Sequence, residues 1–211
     1  MLPKQKKTTF AMSKRRRFTI SIFCLLLVTA FVWLDHSSIK RDWQTRSESS
    51  KQTKTGDFEK YHEKTFTVVN VVDVDTIDID ISDGKYNHTR IRLLGVDTPE
   101  AKNPKTGIMY FGPEAADFTT KSTLGKQVTV YLEEHHTRDK YGRLLAYIKL
   151  PDGKFLNETL LAEGFACADV RFRHSFYYKY QQLEAVARSQ KKGLWLKVTP
   201  EQMPEWKQKK Y

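Results

Sequence analysis

The sequence predicts an α+β domain whose β part is a small barrel or rolled sheet, preceded by a signal-anchor helix and a polar linker. Three observations predict it. A length of 211 residues suits one domain with extensions. Short β-rich runs cluster between residues 68 and 150, and helical patterns punctuated by Gly and Pro lie between and after them. With 39% hydrophobic and 29% charged residues, the chain is excluded from the polytopic membrane, collagen-like and fully disordered classes. Pattern alone leaves open which barrel it is.

Residues 1–17 carry Lys4, Lys6, Lys7, Lys14, Arg15, Arg16 and Arg17 and no acid. Residues 18–34 are uncharged and long enough, at the lower limit, to cross a bilayer; the basic flank predicts an N-terminus kept in the cytoplasm. Val28 and Ala30 also offer a cleavage site, so a removable signal peptide is the alternative. Either reading sends the rest of the chain to the extracellular side of the membrane, anchored or secreted. Residues 35–62, rich in Ser, Thr, Lys and Gln, read as a flexible linker. Residues 63–198 form the expected domain and residues 199–211 a basic tail, in which Lys207 to Lys210 read as a solvated end or, alternatively, a weak polyanion contact.

Within the domain, residues 68–81 alternate Val and Ile with Asp, the pattern of a strand with one wet face. Asp83-Gly84 supplies a turn, residues 88–96 a second strand, and residues 127–132 and 144–150 two more. Gly112-Pro113-Glu114 predicts a helix start, with Gly125 at its end. Asn157 is expected to cap a short helix ending at Gly164, and Ser175 a longer one with Phe176, Tyr180, Leu183 and Ala187 on one stripe.

The net charge of +11 suggests a polyanion partner, but residues 61–211 hold 23 bases against 20 acids, so most of the excess precedes the domain. Cys24 and Cys167 are the only cysteines, which excludes a disulfide framework and a Cys-rich zinc site. More informative is the acid-rich stretch: Asp73, Asp75, Asp78 and Asp80 on one run, Asp97 and Glu100 after the next. Taken singly, each reads as part of a solvated strand face. Together, carboxylates without nearby His or Cys suit a hard cation such as Ca²⁺ or Mg²⁺, and a hairpin can bring Asp75 beside Asp97. Arg92 and Arg143 suit bidentate contact with a phosphate, or else an Arg–carboxylate structural pair.

The segments VVDVDTIDI, RIRLLGVDTPE, FGPEAADFT, TRDKYGRLLAYI, LNETLLAEGFA and ARSQKKGLW occur in the order and spacing of staphylococcal-nuclease-like thermonucleases, which residues 66–195 resemble. The resemblance implies a five-stranded OB-fold barrel with three α-helices and a Ca²⁺-dependent phosphodiesterase acting on single- and double-stranded DNA and on RNA. It places the metal carboxylates at Asp75 and Asp97 with the Thr98 carbonyl, and Asp73 in the outer shell. Glu100 falls on the residue that activates the attacking water, Arg92 and Arg143 on the phosphate-binding arginines, and Lys140 and Tyr141 beside the terminal phosphate. Val74 replaces the family's Gly and is expected to suit a strand. Val170 and Phe172 replace two nucleotide-lining tyrosines; Phe172 retains a stacking face without the hydroxyl. The expected enzyme is a monomer held at the membrane by its N-terminal helix. The rival function is a non-catalytic barrel binding nucleic acid or peptide, for which loss of one of these acids or arginines is expected; none is lost.

Overall fold

The protein, represented by a computed structural model, is described over residues 56–99 and 109–208. The signal anchor and most of the linker lie outside the described residues. Among the described residues no helix is long and apolar enough to cross a membrane.

Five strands close a barrel in the order β1 (Lys64–Asp73), β2 (Thr76–Ile79), β3 (Thr89–Leu93), β6 (Leu144–Lys149) and β5 (Gln127–Leu132). The strand count matches that implied by the resemblance. Neighbours are antiparallel except β3 and β6, which run parallel with Ile91 opposite Leu144. A parallel pair requires a crossover, and α2 (Gly112–Thr123) with β5 supplies the intervening chain. Ile77, Ile79, Ile91, Leu93, Val130, Leu144 and Ile148 are buried together, so closure gives the core a single apolar filling.

The single strand predicted over residues 68–81 is in fact the β1–β2 hairpin. Its period-two pattern continues through a tight turn at Val74-Asp75, where Asp73 pairs with Thr76 and the Asp73 carboxylate accepts the Val74 N–H at 2.8 Å. Val74 is therefore a turn residue, fully buried and without a positive φ, and nothing there demands glycine. The wet face is also corrected, because all four β2 residues are buried. Asp78 is covered by Arg90 at 2.8 and 3.1 Å and by the Asn70 amide at 3.0 Å. Burial alone would raise its pKa, but these donors hold it below the usual carboxylate range.

The domain begins earlier than predicted. Residues 56–61 form a helical turn, α1, at what was read as the end of the linker. Tyr61 is fully buried and its hydroxyl lies 3.0 Å from Thr89 Oγ1, while Asp57 accepts from Nε and Nη2 of Arg138, both at 2.7 Å.

Helix α2 starts at Gly112-Pro113 as expected, and Thr119 Oγ1 donates to Val74 O at 2.9 Å, tying the helix to the β1–β2 turn. The other two predicted caps are corrected. In α3 (Leu156–Ala162) the cap position is Phe155, and Asn157 lies buried inside the first turn. Its Nδ2 donates to Leu94 O and Ala146 O at 2.9 and 3.3 Å, and its Oδ1 accepts from Ile148 N at 3.0 Å. A short amide that could cap a helix is used instead to satisfy three buried backbone groups. In α4 (Tyr177–Ser189) the cap position is Phe176; Ser175 gives its N–H and hydroxyl to Glu133 at 2.8 and 3.0 Å.

Two further short strands, β4 (Val96–Asp97) and β7 (Cys167–Ala168), pair antiparallel beside the barrel. After 3₁₀ turns at Gly193–Leu196 and Pro200–Gln202, the chain ends its described course in α5 (Glu205–Gln208). The solvated end is thus corrected at Lys207, which is buried with its Nζ 2.5 Å from Glu184 Oε2; Met203 is buried as well, packed with Cys167, Ala187, Leu194 and Trp195.

Candidate active site

The β1–β2 turn, the end of β3 and β4 converge on one cluster of charge. Strand register sets Thr76 opposite Arg92, and Leu93 N donates to Asp75 O at 2.8 Å, so Asp75 at the turn lies beside the Arg92 side chain. Past β3 the chain reverses through Leu94-Gly95 to bring Asp97 back. Gly95 has φ +78°, and a Cβ there would stand 2.5 Å from the His174 ring, so both conformation and space require glycine.

The Arg92 guanidinium joins the two carboxylates. Its Nη1 meets Asp75 Oδ2, while Nη2 donates to Asp97 Oδ1 at 3.1 Å and to Val96 O at 3.3 Å. Asp75 also accepts from the hydroxyls of Thr76, on Oδ1 at 3.0 Å, and Thr98, on Oδ2 at 2.7 Å. Burial lowers the Arg92 pKa, with Arg143 adding to the effect and Asp97 and Asp169 opposing it. Arginine's very high intrinsic basicity keeps the group charged at neutral pH. Strand register also draws the two predicted arginines together, since Ile91 lies opposite Leu144 and Arg92 and Arg143 are the residues next to that pair.

Arg143 is held by Asp139, whose Oδ2 takes Nε and Nη2 at 2.7 Å and whose Oδ1 accepts the N–H groups of Tyr141 and Arg143 at 2.9 and 3.0 Å. This carboxylate organises a surface loop. Lys140 and Tyr141 lie on it, exposed, with Lys140 Nζ and Arg143 Cζ 5.0 and 5.5 Å from the Tyr141 ring. Phe172 is also exposed, 5.9 Å from Arg171 Cζ. Of the predicted residues, Asp75 and Asp97 are thus joined through Arg92, with Thr98 on Asp75, and Arg143 with Lys140 and Tyr141 forms a neighbouring cationic edge. Glu100 lies outside the described residues. Asp73 is engaged in its own turn through the Val74 N–H.

Two residues escaped sequence reasoning. Arg171 donates to Asp97 Oδ2 at 3.1 Å and to Asp169 at 2.7 and 2.8 Å, and Trp206 Nε1 donates to Asp97 Oδ2 at 2.7 Å. An arginine next to Phe172 and two residues after Asp169 was a usable signal for Arg171. Trp206 carries none, since it reaches Asp97 only through the fold.

The donor chemistry fits a hard divalent cation. Asp75 and Asp97 present carboxylate oxygens against one guanidinium, and Thr98 sets its hydroxyl on Asp75, with no nitrogen or sulfur donor in the set. Among the described residues there is no group of three His, Cys, Asp or Glu side chains placed to hold a metal, so backbone, water, substrate or Glu100 oxygens would have to complete any coordination.

Residues 90–197 match the family described as staphylococcal nuclease homologue. The chain is 39% identical to a thermonuclease of Staphylococcus hyicus over 64% of this chain and 77% of that one. It is 40% identical to a thermonuclease of Staphylococcus intermedius, covering 62% and 74%. Identity to the endonuclease YncB of Bacillus subtilis (strain 168) is 35%, covering 62% and 61%.

Proposed function

The chain belongs to the staphylococcal nuclease family, and on that footing we propose that it is a Ca²⁺-dependent nuclease hydrolysing phosphodiester bonds of DNA and RNA. The observation that carries the reading is the buried Arg92 guanidinium shared by Asp75 and Asp97. A fixed cation paired to two carboxylates of hard-donor type is suited to a reaction in which negative charge grows on a phosphoryl group.

In this reading Asp75, Asp97 and the Thr98 carbonyl hold the cation, and the Thr76 and Thr98 hydroxyls keep the Asp75 carboxylate oriented. Bound Ca²⁺ polarises a phosphoryl oxygen and eases deprotonation of water. Glu100 accepts the proton of the attacking water. Arg92 and Arg143 bind the phosphoryl oxygens, where two fixed positive charges balance the charge gained on passing to the transition state. Lys140 and Tyr141 receive the terminal phosphate at the exposed edge, and Phe172 offers a stacking face to a base. Contacts of this kind address backbone and ring rather than sequence, which suits single- and double-stranded DNA and RNA alike. The proposal includes a monomer acting outside the cell, secreted or anchored by residues 18–34.

Digestion of plasmid DNA and of RNA by the purified full-length protein tests it. Cleavage with millimolar Ca²⁺ that stops in excess chelator and is lost in Arg92→Ala and Glu100→Ala is expected. Undiminished cleavage in chelator, or none with Ca²⁺, refutes the reading.

A further inference from the structure

Residues 199–208 extend past the family-matched stretch yet reach its central carboxylate. The segment is built as a strap. Thr199 N donates to Gln202 Oε1 at 3.0 Å, Met203 is buried beside Cys167 and Leu194, and Gln208 Nε2 returns to Met203 O at 2.8 Å. Lys207 Nζ pins it to Glu184, a side chain already held by the Ala168 N–H at 2.7 Å. Because Ala168 lies on β7, which pairs with β4, the strap is fastened to the same two-stranded sheet that carries Asp97.

At its end Trp206 is set between two partners. Its indole N–H donates to Asp97 Oδ2 at 2.7 Å, and its ring lies 4.8 Å from Arg171 Cζ, whose Nη2 reaches the same oxygen at 3.1 Å. Asp97 Oδ1 faces Arg92 and hence the Asp75 side. One oxygen is therefore clamped by the strap and Arg171 while the other is presented to the reactive cluster. A carboxylate on a single rotatable bond otherwise has many orientations, and hydrogen bonds from outer groups are what restrict a ligand carboxylate to the useful one.

We propose that the strap is part of the active site and that Trp206, with Arg171, is a positioning residue that holds Asp97 in its cation-ready orientation. This rests on the nuclease reading only in that the cation is the one assigned there; the contact itself is independent of it. Trp206→Phe keeps a six-membered aromatic ring to face Arg171 and deletes the indole N–H donor with its five-membered ring. In the full-length protein, calorimetric Ca²⁺ titration is expected to show affinity about tenfold weaker, at the low end for loss of an outer partner because Arg171 remains. Far-ultraviolet dichroism should be unchanged, and kcat on DNA should fall more than KM rises.

A second measurement leaves Trp206 in place. The indole N–H resonance of Trp206, assigned by its disappearance in Trp206→Phe, is expected downfield and slow to exchange with solvent, and both features should be lost in Asp97→Ala, which has no acceptor. Wild type and Trp206→Phe binding Ca²⁺ equally would overturn the proposal, as would an indole resonance indifferent to Asp97→Ala. Wild type that binds no Ca²⁺ would refute the metal reading instead, and the indole resonance would then decide the positioning claim by itself.

Discussion

Replacing Arg92 by methionine, similar in length and uncharged, removes the group on which the candidate site depends. Breaking a buried ion pair by deleting one partner costs about 3–5 kcal/mol. The lower end applies here, because Asp75 retains the Thr76 and Thr98 hydroxyls and Asp97 retains Arg171 and Trp206. About 3 kcal/mol corresponds to a fall in Tm of roughly 6–12 °C for a domain of this size. The sign of the Ca²⁺ effect follows from the same geometry. With the guanidinium gone, two facing carboxylates repel, so a cation between them relieves more free energy than in the wild type. Ca²⁺ should therefore raise the Tm of Arg92→Met by more degrees than that of the wild type. Nucleic-acid cleavage should fall by about 10²–10³, the typical cost of losing one donor to developing charge. Differential scanning calorimetry with Ca²⁺ or chelator, beside a digestion assay, measures all three. A Tm within about 2 °C of wild type together with twofold or smaller loss of activity would refute the idea that Arg92 both binds the carboxylates and serves the reaction.

Asn157→Leu removes the side-chain partner of Leu94 O and Ile148 N, while Ala146 O keeps the Leu94 N–H, and should cost about 2–4 kcal/mol in urea unfolding; a loss under 1 kcal/mol would contradict the bracket described for it. Gly95→Ala should destabilise by about 1–3 kcal/mol, since φ is positive and the new Cβ meets the His174 ring at 2.5 Å; an unchanged denaturation midpoint would show that the reversal leading to Asp97 can relax. His174 should make stability pH-dependent. Burial lowers its pKa below 6.5, with Glu133 and Asp169 opposing, and its Nδ1 lies 3.0 Å from the hydroxyl of Tyr147, with Tyr180 also against the ring. Above pH 6.5 both folded and unfolded chains are neutral there; as pH falls toward the folded pKa the unfolded chain binds the proton first, so stability drops. Asp78 and Glu133, held below the usual carboxylate range, add a similar loss only at lower pH. Unfolding at pH 7.5 and 5.5 should show this drop in wild type and a flatter profile in His174→Gln; equal slopes would discard the assignment.

Much of the fold was legible because local chemistry and tertiary role agree. Pro after Gly112 starts α2 wherever the helix packs, and the alternation in β5 survives because that strand keeps one face toward the core. The reading failed where one residue type serves two purposes. Asn157 and Ser175 have the side chains of helix caps, but buried backbone and Glu133 compete for them and win. The period of two runs unbroken through Val74-Asp75 because a hairpin turn that uses no glycine carries no local mark.

By itself, the sequence determined the chemical inventory: hard oxygen donors at Asp75, Asp97 and Thr98, cations at Arg92 and Arg143, and a chain able to build a β-rich core around them. Only the tertiary structure decided how that inventory is wired. Closing the barrel set Arg92 between Asp75 and Asp97, withdrew Asp78 into an ion pair of its own, and folded Trp206 from 109 positions away onto Asp97. The physical reason is range. Propensity and periodicity act over a few neighbouring residues, whereas a buried carboxylate is satisfied by whichever donor the folded chain brings within about 3 Å.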